Sequence, residues 1–149
     1  DIYLPDCKYV SSVLSQAYSN APDYFSVVSM ALSEMYRQVG DPIFDSKTGL
    51  LKKGMIVRHL VLPECTDDSK AVIRYLHETF GHHIYISIMN QYTPVRQIPS
   101  HPNLNRTLTD EEYNSVVDYA IEIGVENGFI QEGETNSESF IPPFNLDGI

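Results

Sequence analysis

Apolar strand-like segments alternate with amphipathic helical stretches along this chain, and that alternation leaves few folds open. Residues 2–5 form a short apolar run, 55–62 a longer one, and 84–89 and 129–131 two more. Between the first two, Phe25, Val28, Leu32, Met35 and Val39 recur at three- and four-residue steps, which makes one buried helical stripe. Asn20 and Pro22 read as the start of that helix and Gly40 as its stop. Thr66 or Asp67 opens a second helix, with Val72, Ile73, Leu76 and Phe80 inward and Gly81 at its end. Thr109 and Glu112 form a capping box for a third, whose inward residues are Val116, Val117, Ala120, Ile121 and Ile123. Residues 10–18 suggest a further short helix, and 43–51 a small hairpin around a Gly-containing turn. Strands alternating with helices imply parallel strands joined by right-handed crossovers. The expected class is α/β, with one unit over residues 1–132 and an irregular acidic tail over 133–149 that carries Pro142 and Pro143.

Charge narrows the partners. Ten basic residues against twenty acidic ones leave a formal charge of −10, the wrong sign for a phosphate-binding surface. No apolar run approaches the roughly 20 residues of a membrane helix, so the expectation is a cytoplasmic protein without nucleic-acid or membrane partners. The two cysteines, Cys7 and Cys65, are too few for a disulfide scaffold and are expected as reduced thiols. His82 and His83 are adjacent, so their side chains diverge, and a solvated turn is expected there rather than a chelate. The sequence opens on Asp1 and already reads as a buried strand by Ile2. The expectation is a segment of a longer protein.

Parallel sheets place their sites at the carboxy ends of the strands, and here those ends are polar. The first strand runs into Asp6 and Lys8, two residues apart and so on one face. The second carries Arg58 in register with Ile56, Leu60 and Leu62, and the third ends in Asn90, Gln91 and Tyr92. A guanidinium among apolar neighbours costs several kcal/mol unless it is paired. Two readings stay open. One is a buried structural Asp6–Arg58 pair with Lys8 exposed. The other is a carboxylate site in which Lys8 and Arg58 hold an anion while Asp6 holds its ammonium group or a cation. His59 should face the helices as a packed or hydrogen-bonded imidazole. Residues 93–108, with Pro94, Pro99 and Pro102, form a long loop, which is read either as part of a substrate-facing surface or as a plain solvated loop; Asn105 and Arg106 lie on it.

Three strings carry a family resemblance. Asp1-Ile2-Tyr3-Leu4-Pro5-Asp6-Cys7-Lys8-Tyr9, Ile56-Val57-Arg58-His59-Leu60-Val61-Leu62-Pro63 and Ile86-Ser87-Ile88-Met89-Asn90-Gln91-Tyr92-Thr93-Pro94 resemble consecutive strands of a radical S-adenosylmethionine barrel. The nearest branch is the pyruvate formate-lyase activating enzyme-like group. Thr109-x-Glu111-Glu112-Tyr113, the run from Glu126 to Glu132 and Phe140-Ile141-Pro142-Pro143-Phe144 are similar to that branch too, so the likeness spans essentially the whole chain. It implies the carboxy-terminal part of a partial (β/α)6 TIM-like barrel. It also implies an oxidoreductase or activase chemistry, in which a [4Fe-4S] cluster cleaves S-adenosylmethionine to a 5′-deoxyadenosyl radical that abstracts a hydrogen atom. The radical's target would be a glycyl radical enzyme type of protein substrate or a small molecule.

The family's cluster sits on a Cys-x3-Cys-x2-Cys loop, which this sequence lacks. The resemblance therefore implies that neither cofactor binds this segment alone and that the segment alone is inactive. Carried over residue by residue, Asp6 and Lys8 match positions beside the methionine part of S-adenosylmethionine or a neighbouring cation. Arg58 matches the arginine near the methionyl carboxylate. Tyr92, with Gln91 before it, aligns where the activating enzyme has His near the adenosyl group. Glu64 stands where the family often has Gly after Pro, which puts that turn in question.

Two other functions fit parts of the pattern. Lys8 could form a Schiff base supported by Asp6 in an ordinary barrel enzyme. A non-catalytic binding module would use the acidic surface and the long loop. A part barrel has unpaired strand edges, so self-association through them is also expected unless the tail or hairpin covers them.

Overall fold

The computed structural model describes residues 1–94, 97–132 and 137–140. Strands β1 (Ile2–Tyr3), β3 (Leu51–Leu60), β4 (Tyr85–Met89) and β5 (Gly128–Glu132) run parallel and in that spatial order, and β6 (Ser137–Phe140) closes the far edge antiparallel to β5. β2 (Ile43–Phe44) pairs antiparallel with the start of β3. Helices α1 (Ser12–Ser19) and α2 (Tyr24–Val39) lie between β1 and β2, α3 (Thr66–Phe80) between β3 and β4, and α4 (Asp110–Glu122) between β4 and β5. The chain is thus a mixed α/β fold on a parallel sheet.

The helices pack on one face of this sheet. Leu32 and Val39 of α2, Val72, Ile73, Leu76 and Phe80 of α3, and Val116 and Ala120 of α4 bury against Met55, Val57, Ile86, Ile88 and Ile130. Each such side chain contributes on the order of 1.5–3 kcal/mol of burial. The alternate strand positions point the other way. Ile56, Leu60, Tyr85 and Met89 are half-exposed there and belong to no core, and Arg58 is exposed. Tyr85 rests between the rings of Phe44 and Phe129, at 5.8 and 5.5 Å.

Several boundaries differ from the sequence reading. Asn20 does not cap α2. It closes α1 in a left-handed conformation, with φ 52° and its N–H on the Ser15 and Gln16 carbonyls, and α2 begins after Asp23. The hairpin's second arm and the long apolar strand are one strand, continuous through Gly54, whose Cα hydrogens face Pro42 where a Cβ would sit 3.1 Å from the proline Cα. Residues 137–140 are a strand, not irregular tail, because the outer edge of β5 offers backbone groups that need partners. The rest of the expected tail, residues 133–136 and 141–149 with Pro142 and Pro143, lies outside the described residues. His82 and His83 sit exposed in a 3-10 turn as expected, and both cysteines are free and buried.

Candidate functional site

The backbone from Pro5 to Lys8 builds one wall of the site. The Arg58 N–H donates to the Pro5 carbonyl at 2.8 Å and the Cys7 N–H to the Arg58 carbonyl at 2.9 Å, extending the β1–β3 ladder past the strand itself. Residues two apart then share a face, so Asp6 and Lys8 point to the open side while Cys7 turns into the core. Burial pushes the Cys7 thiol up to about 12, so it stays protonated and inert.

Behind this wall stands His59. It is buried, with Nδ1 2.8 Å from the Cys7 carbonyl and Nε2 2.8 Å from Ser69 Oγ. A carbonyl only accepts, so Nδ1 carries the proton and Nε2 accepts from the Ser69 hydroxyl. The imidazole is neutral, and burial lowers its pKa to about 4. It joins β1, β3 and α3 and takes no part in the open face, as its alternation with Arg58 predicts.

On the open face, Arg58 Nε donates to Asp6 Oδ1 at 2.9 Å. The pair is not buried as the structural reading had it: 45% of the Arg58 side chain and 40% of the Asp6 side chain are exposed. The sequence pattern of β3 suggested an enclosed arginine, but the described residues leave its face of the sheet uncovered. A bridge so exposed is worth only about 0–1 kcal/mol to the fold. It uses one guanidinium nitrogen, and the two terminal nitrogens and the Lys8 amine have no hydrogen-bond partner among the described residues.

These groups converge on a cavity of about 200 Å³, lined by Asp6, Lys8 and Arg58 with Tyr9, Tyr92 and the apolar Leu60, Leu62 and Met89. A wider surface groove, about 570 Å³, passes Met30, Arg37 and Tyr75 between α2 and α3, but its Arg37 is already bridged to Glu34 at 2.6 Å. In the small cavity at the strand ends, Arg58 keeps its terminal nitrogens and Lys8 its amine without such a partner among the described residues. Of the residues expected around a ligand, Asp6, Lys8, Arg58 and Tyr92 are brought together. Gln91 is exposed and does not line the cavity. Tyr92 donates its hydroxyl to the Leu104 carbonyl at 2.7 Å, so its ring, not its oxygen, is what the cavity meets.

The long loop is pinned over these strand ends. Asn105 bonds both the N–H and the carbonyl of Ile98, and Asn103 donates to the Pro63 carbonyl and to Tyr18 Oη. Arg106 forks onto Glu112, at 2.8 and 3.0 Å. Asn105 and Arg106 thus hold the loop's own shape and do not line the cavity, and 40% of the Arg106 side chain stays in solvent; residues 95 and 96 lie outside the described residues.

Glu112 collects five donor groups from three residues. Besides Arg106 it accepts from the Thr109 and Glu64 N–H groups, at 3.0 and 2.6 Å, and completes the capping box of α4. Its pKa falls to about 2, first through Arg106. Glu64 adopts φ 60°, the left-handed conformation that favours glycine, and Glu112 holds its N–H. We expect Glu112→Ala to lower stability by about 2–4 kcal/mol, read by denaturant unfolding at pH 7. The folded pKa is depressed, so the contribution is full above the ordinary value of 4.5 and is lost as pH falls towards about 2. A variant within about 0.5 kcal/mol of wild type would contradict this.

No helix of the described residues is long and apolar enough to cross a membrane, and none of their His, Cys, Asp and Glu side chains gather in threes as a metal site. No protein-family model matches the chain, and no solved structure does. A similar curated protein is an uncharacterized protein of Methanocaldococcus jannaschii, 24% identical over 123 residues, which cover 80% of this chain and 31% of that protein. The chain spans about a third of the length of this relative.

Proposed function

We propose that this chain is the carboxy-terminal part of a partial (β/α)6 barrel of the radical S-adenosylmethionine type, similar to the pyruvate formate-lyase activating enzyme branch. In this reading Asp6, Lys8 and Arg58 hold the methionyl end of S-adenosylmethionine. The observation that carries it is the convergence of those three side chains, with partner-free nitrogens, on a small cavity at the carboxy ends of parallel strands. Arg58's terminal nitrogens and the Lys8 amine would meet the carboxylate, Asp6 would take the ammonium group, and Leu60, Leu62 and Met89 would flank the methylenes that lead to the sulfonium. The open sheet face fits a barrel interior completed by residues outside this chain.

The cofactor, once bound and reduced at a [4Fe-4S] cluster, supplies a 5′-deoxyadenosyl radical. The residues of this chain do not fit the cluster itself, since both cysteines are buried in its own core. In this reading the cluster's ligands come from the rest of the parent protein. A Schiff base on Lys8 is less well supported, because the amine is exposed rather than desolvated by an apolar pocket. The test is the coding sequence on the amino-terminal side of this segment. A Cys-x3-Cys-x2-Cys motif is expected there. An intact parent with no such motif would overturn the reading, as would iron–sulfur loading of the 149-residue chain by itself.

A further inference from the structure

We propose that Tyr24 is a positioning residue of this site, one that aims Asp6 and Lys8 at the cavity without touching the ligand. The inference rests on the reading of the cavity as a carboxylate site. Tyr24 is the first residue of α2, and its hydroxyl reaches across to the backbone on both sides of Cys7. It accepts from the Lys8 N–H at 2.9 Å and donates to the Asp6 carbonyl at 3.3 Å. The donation to Asp6 needs the neutral phenol, and burial keeps it protonated by raising its pKa.

This hydroxyl completes a pattern. Past the end of β1 no strand among the described residues holds Lys8, because the ladder to β3 stops at Cys7. The Pro5 carbonyl, the Cys7 N–H and the Cys7 carbonyl are bonded by β3, through the Arg58 backbone and the His59 ring. The Asp6 carbonyl and the Lys8 N–H are not bonded by β3, and Tyr24 takes both. The edge-on contact of its ring with Tyr9, centroids 5.4 Å apart, fixes the phenol from the side. Residues whose side chains do the binding are held best when the backbone between them has no freedom. Without the hydroxyl, the wall keeps its ladder but the Lys8 end can swing.

The test is Tyr24→Phe in the 149-residue chain, with Tyr36→Phe as its control. Tyr36 lies on the same helix, and its hydroxyl bonds Asp41, away from the site. Two signals are followed by NMR: the Arg58 Nε–H resonance without ligand, and its response to L-methionine at millimolar concentration. In Tyr24→Phe the Arg58 Nε–H is expected to move and exchange faster with water, and the affinity for L-methionine to fall about 10-fold, the effect of one lost hydrogen bond. Tyr36→Phe should change neither, whatever it does to the melting temperature. An Arg58 signal unchanged in Tyr24→Phe overturns the proposal, as does a methionine affinity measurable in wild type and unchanged in Tyr24→Phe. A wild-type chain that ignores methionine, with an Arg58 signal that still moves in Tyr24→Phe, overturns the carboxylate reading and leaves the positioning role in place.

Discussion

Replacing Arg58 with alanine in the whole parent protein is expected to weaken S-adenosylmethionine binding at least about 30-fold while leaving the fold nearly untouched. The first half follows from removing one partner of a hydrogen-bonded charge pair, which costs about 2–5 kcal/mol where the ligand desolvates it. The second half follows from exposure. With 45% of its side chain in solvent, Arg58 adds only about 0–1 kcal/mol through its bridge to Asp6. The two numbers separate a ligand site from a structural ion pair. Equilibrium dialysis gives the first and denaturant unfolding the second. A variant that binds the cofactor normally but has lost several kcal/mol of stability would return Arg58 to the structural reading.

The opposite pattern is expected one residue along. His59→Leu should cost about 3–5 kcal/mol, because it leaves the Cys7 carbonyl and the Ser69 hydroxyl buried without a partner. For a chain of this length that is a fall of roughly 10 °C or more in the melting temperature. The same imidazole gives wild type a pH signature. Its folded pKa, about 4, lies below the ordinary 6.5, so the unfolded chain binds the proton more readily. Stability is therefore full above 6.5 and falls as pH drops from 6.5 towards about 4, by about 3 kcal/mol for this group. The leucine variant should lack that part of the slope. Parallel pH profiles of wild type and variant would show that His59 is not the group that sets it.

Alternation and helical stripes were enough to read β3, β4 and the three longer helices, because their buried positions recur at fixed steps. Asp6, Lys8, Arg58 and Tyr92 could be nominated for the same reason, since strand-end polarity is a local pattern. What could not be read was whether the face carrying Arg58 is covered. That depends on what lies opposite a strand, and no periodicity within the strand encodes it. Gln91 failed for a related reason: once β4 ends at Met89, alternation no longer decides where a side chain points. Tyr24 and Tyr113 were missed because each acts through a distant backbone. Tyr113 donates to the Ile88 carbonyl and accepts from the Gln131 N–H, tying the ends of β4 and β5 from within α4. In the sequence Tyr24 is merely an aromatic residue early in a helix, and Tyr113 stands out only as part of the motif from Thr109, with no role attached. Strand β6 was hidden in an acidic stretch of low β propensity, since edge pairing is offered by β5's backbone rather than by its own side chains.

The most direct measurement of the account is product analysis on the parent protein, reconstituted anaerobically with iron and sulfide and given S-adenosylmethionine and a one-electron reductant. The account predicts methionine and 5′-deoxyadenosine in equal amounts, with formation strongly reduced in Arg58→Ala. A fully iron-loaded parent that forms no 5′-deoxyadenosine, or an Arg58→Ala parent that forms it as fast as wild type at limiting cofactor, would contradict it.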